Sequence, residues 1–133
     1  MDDESIRSLL RDYAGAWGRR DRAGWLATFA EDAVQEDPIG DGPRRGHGEI
    51  GRFWDRAFET YDSITIDIRA VHVAAGEAAM EWSISARVGD KRMLFDGVDV
   101  FTFTDAPLIA SVRAYWQRDT RRFEAGWSEG RPR

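Results

Sequence analysis

Two aspartates and a tyrosine are the residues whose surroundings could support chemistry. Asp99 lies within Met93-Leu94-Phe95-Asp96-Gly97-Val98-Asp99-Val100-Phe101-Thr102-Phe103. A strand over this segment puts Phe95, Gly97, Asp99, Phe101 and Phe103 on one face, with Asp96, Val98, Val100 and Thr102 on the other. Asp99 is therefore a carboxylic acid on an aromatic face. Burial there disfavours its charged form and raises its pKa, which would leave a neutral hydrogen-bond donor. A buried Asp that ties down a loop or helix end would leave the same pattern.

Asp37 ends a short predicted strand just before Pro38. An Asp beside Pro and a Gly-rich loop is also ordinary turn chemistry. Tyr13 falls on the apolar stripe of the first predicted helix, where core packing is the common role, although a buried hydroxyl still needs a partner.

Helices in the first half and strands in the second must position these groups. Ile6, Leu9, Leu10, Tyr13, Ala14 and Trp17 follow helical spacing, predicting a helix over 3–18. Trp25, Leu26 and Phe29 signal a short second helix, and Ile50, Phe53, Trp54, Ala57 and Phe58 a third over about 48–58. Residues 33–38 read as a short strand ended by Pro38, and 39–47 as a loop with three Gly and one Pro. Alternating residues then predict strands over about 64–68, 78–88, 92–104 and 108–117, with a turn at Gly89-Asp90. Helices followed by antiparallel hairpins argue for an α+β domain. Residues 1–117 are read as one domain. Residues 118–133, which mix arginines with Asp119, Glu124 and Glu129, are read as a solvated, partly disordered tail.

Composition sets outer bounds on function. A chain of 133 residues can bury a core and a pocket together. Its 6 Trp and 7 Phe suggest a bulky core or an aromatic-lined cavity. A net charge of −5 disfavours nucleic acid or an anionic membrane as partner. The chain has no Cys, which excludes disulfides, thiolate metal sites and a cysteine nucleophile. The acidic start lacks the features of a signal peptide, and no stretch approaches the roughly 18 apolar residues of a membrane span. The expectation is a cytoplasmic protein.

Taken together, these positions resemble the ketosteroid isomerases (steroid delta-isomerases), within the superfamily of nuclear transport factor two-like and SnoaL-like proteins. The similarity runs from about Ile6 to Gln117. Its most specific parts are the segment from Phe29 to Pro38, the Gly-Pro loop with Gly46, Val98-Asp99-Val100-Phe101, and Arg113-Ala114-Tyr115-Trp116. The resemblance implies a curved sheet wrapped as a cone around three helices, with an internal apolar pocket, and a homodimer built through the sheet's outer face. It makes the residue at Asp37 the base and those at Tyr13 and Asp99 the oxyanion hole, with Trp116 beside the base. The neutral state of the acid at Asp99 is a known property of that family, so this role is carried over with the resemblance. The expected lining is Trp17, Phe53, Trp54, Met80, Trp82, Phe95 and Trp116. The implied substrate is a small hydrophobic ketone, with no cofactor and no metal. Some relatives carry supporting tyrosines where this chain has Phe29 and Trp54. The indoles of Trp17, Trp54 and Trp82 also predict a narrow cavity.

Other chemistries are known on the same fold. Polyketide cyclases and dehydratases place a His with an acid in the pocket, and the candidates here are His47 and His72. Epoxide hydrolases use an Asp–Arg–Asp set, for which Arg113 is available, although alternation puts it on the face opposite Trp116. A binding or dimerisation domain that has lost its chemistry is the non-enzymatic alternative.

Overall fold

The computed structural model describes residues 2–124. Helix α1 spans Asp3–Arg19, and Asp2 caps it by accepting from the Ser5 N–H at 2.7 Å. It buries Ile6, Leu10, Tyr13, Ala14, Ala16 and Trp17, which is the stripe predicted from spacing with Ala16 added and Leu9 only half-buried. Helix α2 is one turn and a half, Arg22–Leu26, capped by Asp21. Helix α3 spans Gly46–Thr60 and buries Ile50, Gly51 and Trp54.

The strands are β1 (Phe29–Glu36), β2 (Arg44–Arg45), β3 (Ser63–Ala74), β4 (Glu77–Val88), β5 (Lys91–Phe103), β6 (Ile109–Tyr115) and β7 (Arg122–Glu124). They form one sheet in the order β2-β1-β6-β5-β4-β3, with β7 also paired to β5. All pairings are antiparallel except β1 with β6, so the sheet is mixed. The helices pack on its concave face, giving the cone-like α+β fold expected from the sequence.

Several boundaries differ from the sequence reading. Phe29 does not belong to α2. That helix ends at Leu26, and Phe29 opens β1, pairing with Ile109 of β6. The spacing of Trp25, Leu26 and Phe29 fits a helix as well as it fits a turn into a buried strand, so spacing alone misplaces Phe29. The loop before α3 contains the two-residue strand β2, and β3 runs six residues beyond its predicted end, to Ala74. Past Gln117, Arg118–Thr120 forms a 3-10 turn and Arg122–Glu124 pairs with Arg92–Leu94 of β5. The rest of the predicted tail, 125–133, lies outside the described residues.

The sheet's alternation selects what faces the helices. On β4, Ala78, Met80, Trp82 and Ala86 are buried, and on β5, Met93, Phe95, Asp99 and Phe101. On β6, Val112 and Ala114 are buried, while Arg113 and Tyr115 point outward. Among the described residues, no helix is long and apolar enough to cross a membrane.

Candidate active site

A cavity of about 320 Å³ opens between the helices and the concave face of the sheet. This lies at the lower end of the roughly 300–1,000 Å³ usual for pockets that hold drug-sized ligands. Tyr13, Asp37 and Asp99 all line it, although they lie far apart in sequence.

Asp37 stands one residue beyond β1, in phase with the buried Ala33 and Gln35, so its side chain turns inward. The loop that follows is tied down at several points. Ile39 N–H donates to the Ala114 carbonyl at 2.8 Å, Gly40 N–H donates to Glu36 Oε2 at 2.9 Å, and Arg44 Nη1 donates to the Asp37 carbonyl at 3.3 Å. Trp116 follows β6 in the inward phase, and its indole N–H donates to Asp37 Oδ1 at 2.7 Å. Burial lifts the Asp37 pKa to about 6, against the lowering effects of the Trp116 bond and of Arg44 and Arg118. A carboxylate poised near neutral pH is suited to exchanging protons with carbon.

Asp99 is buried on β5. Burial, and next the charge of Asp37, hold its pKa well above the usual carboxylate range, while bonding to Trp82 and Tyr13 opposes that rise. Two acids in one cavity are thus pushed apart. Asp37 ionises first, and its charge keeps the proton on Asp99. The Trp82 indole N–H donates to Asp99 Oδ1 at 2.9 Å. Gly97 makes room for this contact, because it pairs with Trp82 across β4 and β5. A Cβ at Gly97 would meet Trp82 Cζ2 at 2.5 Å and the Tyr115 carbonyl oxygen at 2.8 Å. The missing side chain lets the indole lie across the neighbouring strand towards Asp99.

Tyr13 reaches the same end of the cavity from α1. Its ring sits against Trp25 at 6.0 Å, Phe29 at 5.8 Å and Phe101 at 5.3 Å between centroids. Burial and the nearby Asp99 and Asp37 hold its pKa well above the usual phenol value, so it remains a hydroxyl donor. Phe29 packs edge-on against the Tyr13 ring at 67°. Aromatic packing therefore orients Tyr13 from three sides.

Of the expected lining, Trp17, Phe53, Trp82, Phe95 and Trp116 border the cavity. Trp82, Phe95 and Trp116 form a continuous aromatic wall from Asp99 to Asp37, with centroids 5.4 and 4.8 Å apart. Trp54 and Met80 do not reach it. Trp54 lies behind Trp17, its ring tilted by 33° with centroids 4.2 Å apart, and also packs on Trp25 and Phe58. Met80 is fully buried in the core. Both share the apolar phase of lining residues, and phase does not separate core from cavity.

Sequence reasoning missed four groups. Trp82 was expected only as wall and instead supplies the hydrogen bond to Asp99; a glycine inside a strand is the one signal for such a close approach. Trp25 packs on Tyr13 from the short helix. Asp41 and Arg118 meet at the rim in a paired contact at 3.2 and 2.7 Å. Arg44, Arg56 and Arg121 border the same opening.

The residues of the other chemistries lie elsewhere. His47 Nε2 is 3.0 Å from the Phe29 carbonyl and joins the start of α3 to β1. His72 pairs with Glu81 at 2.8 Å on an exposed part of the sheet. Arg113 sits on the outer face over the Tyr115 ring at 5.6 Å.

Residues 10–112 match the family model described as the SnoaL-like domain. The chain is 29% identical over 111 residues to the steroid Delta-isomerase of Nocardioides simplex, covering 84% of this chain and 89% of that protein. It is similar to the crystal structure of Delta 5-3-ketosteroid isomerase from Mycobacterium sp., with a TM-score of 0.79 and 25% identity over 90% of this chain and 98% of the other. A Mycobacterium tuberculosis protein solved in complex with estradiol-17beta-hemisuccinate is also similar, with a TM-score of 0.78 and 25% identity, covering 87% and 96% of the two chains.

Proposed function

The chain belongs to the SnoaL-like family, and from that premise we propose that it is an isomerase, one that moves the C=C bond of a β,γ-unsaturated, steroid-like ketone into conjugation. The single observation that carries this reading is the division of roles between two acids in one cavity. Asp37 has a pKa of about 6 and takes up and returns a proton, while Asp99, held well above that range, stays protonated as a donor. The steroid isomerase relatives support the same reaction class.

The carbon between the carbonyl and the double bond of such a ketone is weakly acidic. Asp37 removes a proton from it; the C–H electron pair forms a new double bond to the carbonyl carbon, the C=O π pair moves onto oxygen, and the original C=C bond is left conjugated with the new one. The resulting dienolate carries its charge mainly on that oxygen. Tyr13 and neutral Asp99 donate to it, and Asp37 then returns the proton two carbons further along. A positioned base contributes roughly 10²–10⁴ in rate, and an oxyanion donor about 3–4 kcal/mol in a dry site. Removal and return of one proton need no redox or metal group.

The aromatic wall of Trp82, Phe95 and Trp116 suits a flat fused-ring substrate held between the two acids. Incubation with 5-androstene-3,17-dione, followed by the ultraviolet absorbance of the conjugated product, tests this function. Wild-type turnover is expected, with a large loss in Asp99→Ala. Absence of turnover would remove the steroid substrate, and a smaller β,γ-unsaturated ketone would then be assayed for the isomerisation itself.

A further inference from the structure

The cavity rim is positive on a protein whose net charge is −5. Arg44, Arg56, Arg118 and Arg121 border it, against the carboxyls of Asp37, Asp41 and Asp99. Asp99 is neutral in the reaction described above, and Asp41 is taken up by Arg118 in the paired contact. Among the described residues, Arg44, Arg56 and Arg121 form no salt bridge, although Arg44 is close enough to act on Asp37 and Asp41.

Two of these arginines already have a place in the site. Arg44 donates to the Asp37 carbonyl and covers the Phe53 ring at 4.7 Å, and Arg118 covers Trp116 at 5.6 Å. Both favour ionised Asp37. Arg56 and Arg121 do neither. Arg56 projects from α3 and is exposed. Arg121 is half-buried, held by its Nε to the Arg118 carbonyl at 2.9 Å, with Nη1 3.5 Å from the Tyr61 hydroxyl. That anchoring fixes a guanidinium at the opening with donors left over. An apolar cavity with a cationic rim fits a molecule that is flat and apolar at one end and anionic at the other.

We propose that the site selects hydrophobic ketones with an oxyanion group, a carboxylate or sulfate, at the end remote from the reacting carbonyl, and that Arg56 and Arg121 recognise that group. This inference rests on the isomerase reading, because that reading places the ketone at Tyr13 and Asp99 and so puts the remote end at the rim.

Binding is measured by tryptophan fluorescence on the full chain with three probes: estradiol, estradiol-17beta-hemisuccinate and estradiol-17beta-sulfate. The phenol of each stands in for the dienolate oxygen, and only the remote group differs. At low salt, the wild type is expected to bind at least one anionic probe about tenfold more tightly than estradiol, the effect of a charge-assisted contact. Raising the salt to about 0.5 M should shrink that preference several-fold, because rim charges are screened. The variant Arg56→Gln/Arg121→Gln should bring the ratio of affinities close to one. The salt series on the wild type stands even where the variant folds poorly. A wild-type ratio near one, or a preference that survives both substitutions, overturns the inference and leaves the isomerase reading intact. Failure of all three probes to bind overturns the steroid-like reading and the rim inference together.

Discussion

Removing one indole donor should move the pH profile of the reaction. Trp116 donates to Asp37 Oδ1 at 2.7 Å, and this bond is the strongest influence holding the Asp37 pKa down against burial. Trp116→Phe keeps an aromatic ring facing Phe95 and deletes the donor, with some loss of ring surface. A hydrogen bond to a charged group contributes about 1.5–3 kcal/mol, and one pKa unit corresponds to about 1.4 kcal/mol. The Asp37 pKa should therefore rise by about 1–2 units from its value of about 6. In a profile of kcat/KM, the limb on which Asp37 must lose its proton should move towards pH 7–8, by the same about 1–2 units. At pH 6 the variant should be several-fold to tens-fold slower, while above the new limb it recovers as a stronger base. The assay is initial rate of enone formation between pH 4.5 and 9 for both proteins. An acid limb that stays in place would refute this role for Trp116, and a uniform loss at every pH would point to lost packing instead.

Other outcomes follow from the same geometry. Asp99→Asn keeps a donor near the Tyr13 hydroxyl and Asp99→Ala removes it, so steady-state kinetics should show the alanine variant slower by about 10²–10³ and the asparagine variant losing less. Gly97→Ala places a methyl where Trp82 and the Tyr115 carbonyl already stand; it should cost about 1–3 kcal/mol in urea unfolding and lower kcat, whereas unchanged stability would contradict the close approach. Folded Asp37 holds its proton up to about pH 6, while the unfolded group releases it near 3.8, so its contribution is complete below about pH 4 and declines as pH rises through 6. Asp37→Asn should accordingly gain stability over the wild type, by about 2–3 kcal/mol between pH 4 and 8, and a difference in unfolding free energy that is flat with pH would contradict the raised pKa.

The acids were legible in the sequence to different degrees. Asp99 stood out by itself, because strand alternation put a carboxyl among phenylalanines. Asp37 and Tyr13 depended on the resemblance, since a turn aspartate and a core tyrosine look ordinary locally. The expected lining also placed Trp54 and Met80 in the cavity, where they do not lie. Period reports which side of an element is buried, and depth behind the lining depends on how α1 and α3 tilt over the sheet. The bond from Trp82 to Asp99 crosses between strands and exists because Gly97 lacks a side chain, a pairing that one strand's sequence does not contain. Arg118 and Arg121 read as part of a charged tail, because only the fold returns the chain to the rim after Trp116.

The central claim is that Asp37 carries the proton, and Asp37→Asn tests it most directly. Turnover of 5-androstene-3,17-dione and affinity for estradiol are measured on the same preparations of wild type and variant. Expected is a fall in kcat of about 10²–10⁴ or more with estradiol still bound, since the amide keeps the shape of the site and cannot take up the proton. Equal turnover by the two proteins would contradict the assignment.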